Sequence, residues 1–156
     1  MKLTTLANGI GKGIFAGLAG TAAMTISSTI EAKLRRRQFS TAPAKAATKA
    51  LGIETFEDGE AYAKFSNLVH WGYGTGWGVA RGVMRAVGLS PRLATPAHFI
   101  ALWGSAIVTL PKFDAAPPVT QWGAEEVAID VFHHLVYVGA AALAFELLDR
   151  SDTDGR

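Results

Sequence analysis

Glu126, Asp130 and His134 are spaced i, i+4, i+8 near the end of the chain, so they share one face of a helix. At the helical rise, His134 lies about 12 Å deeper than Glu126. His133 points about 100° away, towards a different neighbour. Glu31 ends the first apolar segment, and His70 lies early in the second. If the segments run back and forth, Glu31, His70, Glu126, Asp130 and His134 occupy similar depth at one end of a bundle. Such groups are costly inside an apolar helix, so they face the protein interior and often mark proton or ion chemistry. The expected arrangement is a buried, hydrogen-bonded carboxylate–histidine cluster joining the first, second and fourth segments.

The same residue types can also hold metal. His70, Asp130, His133 and His134 are the candidate ligands, and His70 with His134 could hold a haem. A di-metal carboxylate site takes Glu-x-x-His on two helices. Here only Asp130-x-x-His133 is comparable, so no cofactor is expected, with metal or haem as the alternative. No catalytic residue is assigned. Gly-x-Ser-x-Gly, the Walker loop, the dinucleotide fingerprint and His-Glu-x-x-His are all missing from the sequence. The chain has no cysteine, which removes thiolate chemistry and Cys metal sites. No basic block is interleaved with aromatics as on a nucleic-acid surface. Arg81 and Arg85 lie towards the other end of the second segment and are expected to snorkel to that interface. His98 is likewise expected to be interfacial.

The elements that must position these residues are apolar helices. Only 18% of the 156 residues are charged, against about 25% in an average soluble domain. Residues 13–30, 65–80, 93–111 and 131–145 contain no Asp, Glu, Lys or Arg. A membrane span needs about 20 mostly apolar residues. The first and third stretches reach that range unaided; the others reach it if flanking charges sit at helix ends. A soluble bundle would carry a polar stripe on every helix, yet 13–30 offers only Thr and Ser. Residues 1–30 are expected to stay as a helix: the apolar run exceeds a signal-peptide core, and Glu31 and basic residues follow it at once.

The reading is therefore all-α: one domain over residues 1–148, a bundle of four transmembrane helices at about 8–34, 60–87, 95–110 and 123–148. A flexible polar tail follows at 149–156. Pro43 can open a short helix over 44–51, stopped by Gly52. Pro91 ends the second helix region, Thr95 caps the third helix with Pro96 at its first position, and Pro111 closes it. Gly9, Gly13 and Gly17 share a face that Thr21, Thr25 and Thr29 continue; Gly74, Gly78 and Gly82 share a row with His70. Small residues let helix backbones approach in lipid, so Gly13, Gly17, Gly74, Gly78 and Gly82 are read as packing positions of a glycine zipper. Lys and Arg are nearly balanced between the two sides. The compact Lys33–Arg37 cluster assigns loop 33–64 to the cytoplasm.

The sequence also resembles the YagU-like family of small bacterial inner-membrane proteins over roughly residues 10–148. Three places carry the resemblance: a Gly-rich opening helix from Gly20 to Glu31, followed by Arg37; His70 early in the second segment; and Ala-Pro-Pro-Val at 116–119 followed by Glu126-x3-Asp130-x-Phe132-x-His134-Leu135-Val136-Tyr137. Family members can carry a His in the third segment, where this chain has Ala106. The resemblance implies a multi-pass inner-membrane protein with a loose association with acid tolerance. The expected function is non-enzymatic, proton- or ion-linked transport or acid tolerance. The alternatives left open are a metal- or haem-binding membrane protein and a structural subunit of a membrane complex. The expected partners are the lipid bilayer and a second copy or other complex subunits, with no nucleic acid.

Overall fold

The computed structural model describes residues 2–154, with side chains for residues 2–151. The chain is helical, with no strand among the described residues. Its α-helices are α1 (Leu3–Leu34), α2 (Ala42–Leu51), α3 (Gly59–Ala86), α4 (Pro91–Lys112) and α5 (Ala124–Asp154), with a 3-10 turn at Val119–Gln121. α1, α4 and the Ala124–Ser151 part of α5 are long and apolar enough to cross a membrane. The sequence reading expects four such helices. α3 has the length, with 28 residues, but its uncharged stretch is built largely from Gly, Ala and aromatic residues rather than Leu, Ile and Val.

Local chemistry explains most helix ends. The Asp58 carboxylate caps α3 by accepting from the Ala61 N–H at 2.8 Å. α2 carries Pro43 in its first turn and stops at Gly52, which adopts φ 66°. α1 starts at Leu3 rather than near Asn8. Gly9 already packs on α3, which requires helix on its N-terminal side. α4 begins at Pro91, with Ser90 before it, and not at Thr95. Pro91 needs no N–H at the first helical position, and Pro96 is carried inside the helix. The Thr95 hydroxyl donates to the Pro91 carbonyl at 3.1 Å.

α5 continues to Asp154, where a polar tail is expected from residue 149. Asp149 is held in place by Lys12 at 2.7 Å and Arg85 at 3.3 Å. Those contacts fix the last turns against α1 and α3. The final two positions of the expected tail lie outside the described residues.

α1 runs through the middle of the molecule, packed on α3 along one side and on α5 along another. α4 packs on α5 and more sparsely on α3, while α2 rests against α3 and α4. The α1–α3 contact depends on glycine. A Cβ at Gly13 would lie 2.5 Å from the Gly78 carbonyl oxygen, one at Gly9 2.7 Å from that of Gly82, and one at Gly17 2.8 Å from the Thr75 Cα. Rigid backbone cannot yield there, so any side chain would push the helices apart. Thr21 continues the α1 row against Gly74.

The distribution of side chains is inverted relative to a soluble bundle. Arg81, Tyr137, Phe145, His98 and Thr21 are the largest fully buried side chains. Phe15, Ile26, Leu68, Ile100, Val108 and Leu143 are each exposed by more than 60%. A soluble protein loses free energy by that arrangement, roughly 25 cal/mol per Å² of apolar surface left in water. In hydrocarbon the same outer surface costs nothing.

Candidate functional site

The residues singled out in the sequence lie at the α1 C-terminal end, in three contacts. In the first, Arg37 reaches both Glu31 oxygens, its Nε at 2.9 Å and Nη2 in a closer contact. Arg35 donates to Glu31 at 3.2 Å and to Glu126 on α5 at 2.6 Å. Glu125 stands 3.4 Å from the same guanidinium. The Glu126 hydrogen bond, then that of Glu31, raise the Arg35 pKa above its ordinary value. Arg35, just past α1, thus ties the end of α1 to the start of α5.

His133 and His134 face different neighbours, as their 100° offset requires. His133 turns towards α1. Its Nδ1 is 2.9 Å from the Ser27 hydroxyl and its Nε2 is 3.7 Å from Glu31. Ser27 also contacts the Met24 carbonyl at 3.0 Å. A carbonyl only accepts, so the single hydroxyl hydrogen goes there and His133 Nδ1–H is the donor to Ser27.

In the second contact, on the same helix, Asp130 accepts from the Trp103 indole N–H of α4 at 2.8 Å. Its carboxylate is 3.4 Å from His134 Nδ1. That nitrogen also lies 2.8 Å from the Asp130 carbonyl, so it carries the hydrogen.

His70 forms the third contact. Its Nε2 is 2.8 Å from the Thr25 hydroxyl, which donates to the Thr21 carbonyl at 2.7 Å. By the same reasoning His70 Nε2–H donates to Thr25. The structure brings Glu31 together with Glu126, and Asp130 together with His134. It does not bring His70 to either pair, and no group of three or more His, Asp or Glu able to hold a metal occurs among the described residues.

A second polar set lies towards the opposite end, and it departs from the sequence reading. Arg81 is fully buried rather than snorkelling. It donates to Thr95 on α4 at 2.9 Å and to Glu146 on α5 at 3.2 Å. The guanidinium also lies 5.9 Å from the centroid of the Phe145 ring, within cation–π range. Arg85 is partly buried and reaches Asp149 and the Leu89 carbonyl. Facing acids on α5 pair with both arginines inside the bundle, although the Nε of each has no hydrogen-bond partner among the described residues.

His98 is also fully buried, not interfacial. Its ring lies between Trp77 and Tyr137, with centroids 6.1 and 5.8 Å away. Neither ring nitrogen has a hydrogen-bond partner among the described residues.

Tyr137 is a functional-looking residue that the sequence reading quotes in the 126–137 motif but leaves out of the polar cluster. It is almost fully buried, packs against Gly20, and donates its hydroxyl to the Gly74 carbonyl at 2.5 Å. It therefore pins α5 to α3 across α1. The available signal is its spacing: Tyr137 follows His134 by three residues and Asp130 by seven, on one helix face.

No protein-family model matches this sequence, and neither a curated protein nor a solved structure matches it.

Proposed function

We propose that this chain is an integral membrane protein whose buried ionisable side chains serve proton- or ion-linked transport or sensing. The observation that carries the reading is the inverted side-chain distribution. Arg81 and His98 are fully buried in the bundle, while large aliphatic and aromatic side chains cover its outside. Ionisable groups inside membrane helices are expensive, face the protein interior and mark ion or proton pathways.

In this reading α3 is the fourth transmembrane helix. Its glycines let it lie against α1 as a glycine zipper, and its Arg81 and Arg85 are paired, which removes the main obstacle to burial in lipid. The YagU-like resemblance supports membership of that family, a bacterial inner-membrane location and loop 33–64 in the cytoplasm. Four short helices enclose little volume, so a conducting form would be oligomeric.

The Asp130–His134 pair is the group we assign to proton exchange. It combines a carboxylate only partly exposed with an imidazole whose Nε2 is left open to a proton. The test is proton or cation flux in liposomes carrying the wild-type chain or Asp130→Asn. Loss of flux in the variant supports the reading. Equal flux in both, or none in either, rejects transport.

A second reading, a structural subunit, is favoured by one specific feature. Arg35, Arg81 and Tyr137 each join two or more helices, and all can be read as ties. Under it, Asp130→Asn changes thermal stability in detergent and leaves flux unaltered. Metal or haem binding has less support, because His70 meets a threonine hydroxyl rather than His134.

A further inference from the structure

We propose that the turn after α1 and the exposed face of α2 form a binding surface for the headgroups of anionic phospholipids, with Lys33, Arg36 and Lys45 as the contacting cations. The inference rests on the membrane reading above and adds a lipid preference to it.

The first observation is how the charges at this end are used. Arg35 and Arg37 take up Glu31, Glu125 and Glu126. Lys49 pairs with Asp114 at 3.0 Å, Lys64 pairs with Glu60 at 2.6 Å, and Asp58 caps α3. Glu54 and Glu57 lie beyond α2, in the loop leading to α3. Lys33, Arg36 and Lys45 are exposed and have no carboxylate partner among the described residues. Their complement is an anion supplied from outside the chain.

The second observation is the backbone at Arg36. The α1 turn closes with Arg36 N–H on the Lys33 carbonyl at 3.3 Å and Arg37 N–H on the Ala32 carbonyl at 3.0 Å. This places Arg36 at φ 53°, in the left-handed region. Glycine usually fills that position. An arginine held there, between two arginines that turn back onto carboxylates, is a strained residue whose side chain makes no hydrogen bond or ion pair among the described residues.

The third observation identifies the source of the anion. The cations are interleaved with exposed apolar side chains: Leu34 next to Lys33, Phe39 after Arg37, and Leu51 at the end of α2. α2 buries Ala44 and Ala46, while its Lys45 stays exposed. The Lys49–Asp114 pair fixes α2 to the end of α4. Apolar side chains beside cations at a helix-bundle end suit the boundary between acyl chains and headgroups. A free anion in water would have no use for Leu34, Phe39 and Leu51.

The test uses the full chain in nanodiscs of phosphatidylcholine alone, and of phosphatidylcholine mixed with phosphatidylglycerol. The thermal unfolding midpoint is read in each. Phosphatidylglycerol is expected to raise the wild-type midpoint by several degrees. Lys33→Gln/Arg36→Gln/Lys45→Gln should lose that gain, whereas Arg92→Gln, at the opposite end, should keep it.

Arg36→Gly relieves the left-handed residue and so should fold at least as well in phosphatidylcholine, yet lose part of the gain. A wild type equally stable in both lipids overturns the proposal, as does a triple variant or Arg36→Gly that keeps the full gain. A shift of the same size from inorganic phosphate in detergent also overturns it, by assigning the surface to a soluble anion. The membrane reading fails separately, if the chain stays monodisperse in buffer without detergent.

Discussion

Arg81 of α3 and Glu146 of α5 meet at 3.2 Å, with the arginine side chain fully buried and the glutamate side chain about three-quarters buried. Thr95 of α4 accepts from the same guanidinium at 2.9 Å, so one side chain links three helices. Removing one partner of a buried pair leaves the other charge uncompensated, at a cost of about 3–5 kcal/mol. Glu146→Gln leaves the fully buried Arg81 charge without its carboxylate and should therefore lower stability in detergent by an amount near that range. Arg81→Gln should cost less, since the Glu146 carboxylate it leaves behind is partly exposed. The double variant should lose less than the sum of the two, measured by chemical unfolding. Strictly additive losses would show that the pair is not energetically coupled.

The glycine face yields a contrast between two positions of one residue type. Gly13 faces the α3 backbone, whereas a Cβ at Gly76 would meet nothing within 4 Å. Gly13→Ala should cost about 1–3 kcal/mol through overpacking against a backbone that cannot give way. Gly76→Ala should be neutral or stabilise by up to about 1 kcal/mol through helix propensity. Thermal midpoints of the two variants in one detergent decide the matter. The same effect at both positions would mean that close approach to the α3 backbone does not set the cost at Gly13.

Much of the helical plan is legible because charge-free stretches and i, i+4 glycine rows are local patterns. The boundary errors are local too: Thr95 before Pro96 looks like a cap, but Ser90 before Pro91 is the same signal one turn and more earlier. The buried Arg81 is a different matter. A charge near the end of an apolar stretch looks set to snorkel unless its partner is known, and Glu146 comes from another helix far along the chain. His98 misleads for the same reason, since its depth follows from how α4 leans on Trp77 and Tyr137. At the other end the depth argument expects Glu31, Glu126, Asp130 and His134 at one level, and the structure has Arg35 bridging Glu31 and Glu126, with Asp130 beside His134. It cannot resolve which neighbour each side chain meets, and so it merges His70, which meets Thr25, with the carboxylates.

His98 invites a substitution that should help stability. Its ring nitrogens have no partner among the described residues, and an unsatisfied buried polar group costs about 1–3 kcal/mol. Phe fits between two aromatic rings without any polar atom. His98→Phe should leave the thermal midpoint unchanged or raise it by a few degrees. A clear loss of stability would show that the imidazole holds a hydrogen bond in the folded protein.

The separation of His70 from Asp130 can be measured as an energy. Residues in contact couple by about 0.5–3 kcal/mol, while separate ones add within about 0.5 kcal/mol. Asp130 lies 3.4 Å from His134 Nδ1, and His70 pairs with Thr25. Asp130→Asn and His134→Gln should therefore be non-additive in unfolding experiments. Asp130→Asn and His70→Gln should add. A metal shared by His70, Asp130, His133 and His134 would couple Asp130 to His70 as well, and a chelator would then abolish that second coupling energy. Coupling between Asp130 and His70 that survives the chelator would instead mean that they share one network through the protein itself.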